Sequence, residues 1–342
     1  TWAQQRFEYG YRDLRNHNLM KIFAGHPYVD VIASINSFIP YDLDDHLAEK
    51  FINFHSEFLI DNPDYHDKIE FEIIPTCIDF NFQRWENRFS ESKIFSEEEI
   101  EQLKTSLLKI TNNALDRIDS DYEKLIDLQK RFELINSSDQ DDLKKAQLLL
   151  DDCKYYGALP FAHLARAAFI AMSFLKSAVS ESIMNEDCYD DFLRSLNSIS
   201  HEFQNDAKKV VNNKKSLDSF ITKYGHIRPG TYDINIKSYK EDPKYYIDPI
   251  LIKKKRILKK EINGTAWGKV KTKFESKLEA IGIKSKNIDI ENFMRKAITG
   301  REYAKFLFTR NLSSAMDLFI KFGKNNGLNR KKISNLTIDD LF

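Results

Sequence analysis

The chain has 342 residues, and its 52 basic and 52 acidic side chains cancel to a formal charge of zero. That length suggests about two domains with ample material for a core. The charge balance excludes recruitment of nucleic acid or an acidic membrane by a global field, so any partner must be recognised locally.

Only 11 glycines occur, without a GxGxxG, GxxxxGK[ST] or GxSxG pattern, so no nucleotide site is visible. Cys77, Cys153 and Cys188 are far apart and lack paired ligand spacing, which fits free thiols in a reducing compartment and a cytoplasmic protein. His17, His26, His46, His55, His66, His163, His201 and His226 form no recognised metal pattern, and no structural metal is expected. The start at Thr1-Trp2-Ala3 has neither an initiator methionine nor a signal pattern, which suggests a piece of a longer protein.

In chain order, Tyr28 to Ile39 alternates polar and apolar residues and predicts a strand, as does Ile69 to Phe82. Between them, Leu43, Leu47, Phe51, Phe54 and Phe58 predict a helix from Asp42 to Leu59 behind an acidic turn. Residues 1–90 thus suggest a small α/β entry module, followed by a helical domain over 91–342.

Ser96 and Glu99 form a capping-box pattern ahead of a long charged helix. Asn136 to Asp139 marks a turn, Leu143 to Leu150 another helix, and Asp206 to Lys215, with Asn212-Asn213-Lys214-Lys215, a break. Pro160 to Ile183 is apolar almost all round and predicts a buried central helix, too interrupted by His163, Arg166 and Lys176 to span a membrane. A buried arginine needs a partner. Arg166, with His163 one turn before it, either forms an internal salt bridge with Asp151, Asp152 or Glu181 or lines a cavity as an anion clamp.

Leu217, Phe220, Ile221 and Tyr224 predict a helix ending at Tyr224, with Gly225 as a left-handed cap. Pro229-Gly230 has turn chemistry, with positive φ expected at the glycine. His226, Arg228, Thr231 and Asp233 would then lie on a bent loop able to converge on an anionic or zwitterionic ligand. The alternative is a self-satisfied turn in which Asp233 pairs with Arg228. The basic run from Ile252 to Lys260 reads as a solvated helix face, since base-stacking aromatics are not evident. Phe293 to Phe322 predicts core helix broken near Gly300, with Arg301 and Glu302 beside the glycine. The fold class is mainly α: a helical bundle with a small β-strand element near the N-terminus.

Several stretches resemble one family: Gly25 to Val31, Ser34 to Pro40, Leu159 to Ala162, Ala165 to Ile170, Tyr224-Gly-His-Ile-Arg-Pro-Gly-Thr-Tyr-Asp233, and Gly300 to Phe306. Together they look like the central region of phosphoenolpyruvate synthase-like phosphotransferases, over nearly the whole chain. The most similar subgroup is that of capsule gene clusters, which includes the L-glutamine kinase of capsular phosphoramidate biosynthesis; rifampicin phosphotransferase is a more distant relative. The resemblance implies an acceptor-binding domain that works with an ATP-grasp domain and a swivelling phosphohistidine domain of the same polypeptide, with ATP and Mg as cofactors of the full-length enzyme. The phosphoryl group would pass from the phosphohistidine to a small polar acceptor.

The chain has neither of those partner domains' glycine-rich segments, so it is expected to be catalytically incomplete alone, and His226 is not the phosphocarrier. For glutamine, Arg228 or Arg166, with His163 beside it, would hold the carboxylate and Asp233 the ammonium. Ser34, Asn36 or Thr231 would read the amide, and His226 would shuttle or orient a proton. A non-catalytic helical scaffold and a phosphotransferase domain for a hydrophobic acceptor are the competing readings.

Overall fold

The computed structural model describes residues 1–254, 266–284 and 288–341, so the basic run after Ile252 lies outside the described residues from 255 onward. Helix α1 (Trp2–Tyr9) leads into a hairpin of β1 (Met20–Phe23) and β2 (His26–Val29), which pairs Met20 with Val29 and Phe23 with His26. Its turn is Ala24-Gly25, with φ of 49° and 80°, the twist that two-residue hairpins favour. Among the described residues this hairpin is the only sheet, and the rest is mostly helix.

The strand expected from Tyr28 to Ile39 ends at Val29. Asp30 accepts a hydrogen bond from the Ala33 amide at 3.0 Å and caps α2 (Val31–Asn36), which outweighs the β preference of its branched neighbours. The strand expected from Ile69 to Phe82 is also absent, because Ile69–Ile73 forms a π-helical turn. There Ile73, Ile74, Pro75 and Thr76 are buried consecutively, so burial does not follow the apparent alternation.

Caps set the next helices. Asp44 accepts from the Leu47 amide at 2.8 Å and starts α3 (Asp45–Asp61), and α4 (Gln83–Ser92) follows. Before α5 (Glu97–Ser137) the capping box forms reciprocally: the Glu99 amide donates to Ser96 Oγ at 3.2 Å and the Ser96 amide to Glu99 Oε2 at 2.8 Å. Helix α6 (Asp142–Asp152) passes through a π-helical turn, Cys153–Ala158, into α7 (Leu159–Ser180). Then come α8 (Glu186–Arg194), α9 (Ile199–Val211), α10 (Leu217–Tyr224), α11 (Pro243–Tyr246), α12 (Asp248–Lys254) and α13 (Ala266–Ala280). Helix α14 (Ile290–Asn325) runs unbroken through Gly300, and α15 (Arg330–Ile333) follows. Gly300 serves close packing and does not stop the helix, since a Cβ there would meet Tyr122 Oη at 2.7 Å.

Two compact units share the chain. The first takes residues 1–118, 165–194 and 263–298; the second takes 119–164, 195–262 and 299–342. Residues 1–90 lie wholly in the first, and 91–342 is divided between both. The first unit's core includes Phe51, stacked on Phe95 at 4.3 Å and edge-on to Phe89 at 5.3 Å. The second holds one cluster around Phe220, Tyr224 and Ile247 and another around Ile135, Leu149 and Phe319.

Gly157, in the second unit, has no room for a methyl group, because a Cβ would lie 2.4 Å from Phe308 Cβ. Gly157→Ala is expected to lower stability by about 1–3 kcal/mol, whereas Gly268→Ala, on α13 with nothing within 4 Å, should be neutral or gain up to about 1 kcal/mol. Urea midpoints of the two variants check this, and equal midpoints would contradict it.

Candidate functional site

The loop after α10 is held from several sides. Helix α10 ends at Tyr224 as the spacing predicts, but Gly225 lies at φ −64°, ψ −19°, and is not a left-handed cap. Glycine is needed there because a Cβ would meet the Ile221 carbonyl oxygen at 2.4 Å and Lys240 Cβ at 2.9 Å. Gly230 is not at positive φ either; its Cβ would meet Ile236 Cγ1 at 2.8 Å. The Lys240 amide donates to the Gly225 carbonyl and the Tyr239 amide to the Ile227 carbonyl, both at 2.9 Å, pinning the loop to the following segment.

Arg228 is 5% exposed and engaged inside this loop. Its Nη1 donates to the Ile236 carbonyl and to Glu241 Oε2 at 3.2 Å, and its Nη2 to Asp317 Oδ1 at 3.1 Å and Ser313 Oγ at 3.4 Å. The turn is self-satisfied, but not through Asp233, which is exposed and accepts from the Asn235 amide at 2.8 Å. His226 Nε2 donates to the Phe306 carbonyl at 3.1 Å. Burial, with the Arg310 charge second, pulls this imidazole down to about 4, so it is neutral near pH 7. His226, Arg228 and Thr231 line a cavity of about 250 Å³ with Ser200, Glu302, Lys305, Thr309 and Ser313. Ser200 Oγ donates to Glu302 Oε2 at 3.1 Å.

The other expected site residues lie elsewhere. His163 is fully buried in the second unit, with Nδ1 2.8 Å from Asp121 Oδ1. Arg166, one turn on, belongs to the first unit and donates to Glu70 Oε2 at 2.7 Å and Thr76 Oγ1 at 3.2 Å. None of Asp151, Asp152 and Glu181 fills the role expected of it, and Asp152 pairs with Arg131 instead. Ser34 and Asn36 are also in the first unit; the Ser34 carbonyl accepts from Ser37 Oγ, and Asn36 Oδ1 is buried without a partner.

A larger cavity, about 450 Å³, opens in the first unit among residues that the sequence pattern had assigned to a strand. Phe71, Trp85, Phe169 and Met172 supply apolar walls; Glu70, Glu72 and Asp79 supply anions, and Lys68, Arg84 and Lys176 cations. Thr76, Ser173 and Ser177 add hydroxyls. Burial raises the Asp79 carboxyl above its usual range, opposed by the hydroxyl of Ser173, which donates to Oδ2 at 2.5 Å. Burial also pushes the Cys77 thiol up to about 12, so it stays protonated and is no nucleophile. One signal for this site was present in the sequence: acids interleaved with an apolar run at Glu70, Glu72 and Asp79, with Ser173 and Ser177 at i, i+4 on α7.

Comparison with protein-family models, with curated proteins and with solved structures gives no match. Among the described residues no group of three or more histidine, cysteine or acidic side chains is arranged to hold a metal ion. One stretch within Asp142–Ser180 is long and apolar enough to cross a membrane by composition, and 56% of that window is buried in the protein.

The depressed imidazole sets a pH dependence. A group whose folded pKa lies below its unfolded value of about 6.5 stabilises the fold fully above that pH and progressively less as pH falls towards the folded value. Stability should therefore fall between about pH 6.5 and 4, with His226 contributing a loss on the order of 3 kcal/mol at the lower end. His55, buried and drawn down to about 3, acts in the same direction. Unfolding midpoints across this range should fall less steeply for His226→Gln than for the parent chain; parallel curves would refute the assignment.

Proposed function

We propose that this chain is the acceptor-binding region of an ATP-dependent phosphotransferase of the phosphoenolpyruvate synthase-like kind. Its acceptor is a small zwitterion, with L-glutamine the first candidate. The observation that carries the acceptor reading is the 450 Å³ cavity of the first unit, where carboxylates, cations and hydroxyls surround aromatic walls. A pocket of that size suits an amino acid, and its few convergent polar groups supply orientation.

Asp79 would receive the ammonium, and a cation of the site the carboxylate. The hydroxyls of Ser173 and Ser177 would read the side-chain amide. Phosphoryl transfer rests on the resemblance of the stretches that include Ala165 to Ile170, of which Phe169 lines this cavity. The ATP-grasp and phosphohistidine domains of the same polypeptide, with ATP and Mg, would supply the phosphoryl group. This chain's own task is to hold the nucleophile in position. An ATP-dependent reaction and three free thiols fit a cytoplasmic location. Within this reading Arg228 is the anchor of its own loop. His226, neutral and donating to a carbonyl, orients that loop and does not carry a proton.

Calorimetric titration of the polypeptide with L-glutamine tests the reading. Asp79→Asn should weaken binding about tenfold or more, the scale of a lost hydrogen bond to a charged group, while Thr231→Ala and Asp233→Asn leave it unchanged. In the full-length enzyme Asp79→Asn should lower kcat/KM for the acceptor to the same degree. No heat with glutamine, or equal affinity in Asp79→Asn, would overturn it.

A further inference from the structure

Behind the wall of the larger cavity two buried guanidiniums share one carboxylate. Arg6 is 2% exposed and Arg166 3%. Arg6 Nη2 donates to Glu70 Oε1 at 3.1 Å and Arg166 Nη2 to Glu70 Oε2 at 2.7 Å. Both stand over the Phe38 ring, at 3.3 and 4.9 Å from its centroid. Each arginine therefore spends a single N–H on the shared carboxylate. Arg6 Nε, Arg6 Nη1 and Arg166 Nε are buried with no hydrogen-bond partner.

The charges do not balance. Two guanidiniums against one carboxylate leave an excess of one positive charge away from water, an arrangement that costs free energy until a further anion arrives. The neighbouring ionisable groups do not supply one, since burial pushes both Tyr11 and Cys77 up to about 12 and keeps them neutral. Burial and then the Arg166 charge draw Arg6 down to about 9, whereas Arg166, though burial opposes it, is raised by Glu70, so the uncompensated charge falls on Arg6.

Glu70 is the accessible member of the cluster. Its side chain is 22% exposed, it sits on the π-helical turn Ile69–Ile73, and with Thr76 it lines the cavity. Such turns are frequent where a helix is distorted for function. We propose that Arg6 and Arg166 form the receiving fork for the anionic group of a ligand entering this cavity, carboxylate or phosphoryl oxygens, and that Glu70 is an internal anion which that ligand displaces. Guanidinium forks match both oxyanions geometrically. The inference uses the same cavity as the acceptor reading but none of the phosphotransfer chemistry.

The test titrates the full chain with inorganic phosphate and, separately, with L-glutamine, at constant ionic strength held with chloride. Affinity is read by calorimetry and stability by melting temperature. Glu70→Gln removes the internal anion, so phosphate, glutamine or both should bind about tenfold tighter or more than to the parent chain, the scale expected when one opposing charge is removed at close range. A gain with phosphate alone assigns the fork to phosphoryl oxygens, and a gain with glutamine assigns it to carboxylate. The melting temperature that Glu70→Gln loses should return with the bound anion and not with chloride. Adding Arg6→Met to Glu70→Gln should abolish the gain.

Should Glu70→Gln not fold, Glu70→Asp keeps the charge but shortens its reach, and should still tighten anion binding. Affinities unchanged in both Glu70 variants, or stability restored equally by chloride, would overturn the fork. Asp79→Asn separates the two proposals: lost glutamine binding there with no response at Glu70 keeps the acceptor reading and removes the fork. Phosphate gains at Glu70 without glutamine binding do the reverse.

Discussion

A buried guanidinium cannot shed its proton, so the fold around it must supply negative charge. Each unit is built around this constraint, and the two meet it differently. In the second unit Arg228 reaches two carboxylates, Glu241 and Asp317, whose excess is taken up by Arg330 on Glu241 and by Lys240 on Asp317 at 2.6 Å. The buried Arg228 therefore has two carboxylates of its own, and the further cations, Lys240 and Arg330, are partly exposed. In the first unit Arg6 and Arg166 share Glu70 alone. That cluster is short of negative charge and lies beside a cavity.

This contrast reverses the ranking that side-chain types suggest. The segment from Tyr224 to Asp233 displays an imidazole, a guanidinium, a hydroxyl and a carboxylate within ten residues of sequence, as binding loops do. Its chemistry is nonetheless spent internally: Arg228 on two acids, a carbonyl and a hydroxyl, and His226 on the Phe306 carbonyl. In the first unit the excess charge lies on Arg6 and Arg166, around an acid, Glu70, from a segment that looked like a plain strand. Displayed chemistry and available chemistry differ by the hydrogen bonds already made.

What was legible in the sequence is local. The reciprocal Ser96–Glu99 cap, the acidic start of α3 and the end of α10 at Tyr224 each depend on residues within one helical turn, whereas the break expected from Asp206 begins only after Val211, where α9 ends. What was not legible depends on distant partners. Arg166 and Glu70 are separated by 96 positions and Arg228 and Asp317 by 89, so no spacing rule could pair them. Glycines failed for a related reason. Gly225, Gly230 and Gly300 signalled turns or breaks, but what forbids a Cβ at each is a close neighbour, and at Gly230 and Gly300 that neighbour is a side chain from outside the turn or helix. The alternation from Ile69 to Phe82 misled because Ile69–Ile73 forms a π-helical turn and Ile73 to Thr76 are buried in succession, which a period of two cannot represent.

The stretches that resemble the phosphotransferase family meet in pairs within each unit. In the first, Arg166 stands 4.9 Å from the centre of the Phe38 ring; in the second, His226 bonds to Phe306. Within Ala165 to Ile170, Phe169 forms a cavity wall and Arg166 holds Glu70, which forms another. This turn of α7 thus joins the cavity, through Phe169, to the buried cluster, through Arg166. The two places differ in what is already spent: Arg228 of the loop reaches two carboxylates, whereas Arg6 and Arg166 share one beside a cavity.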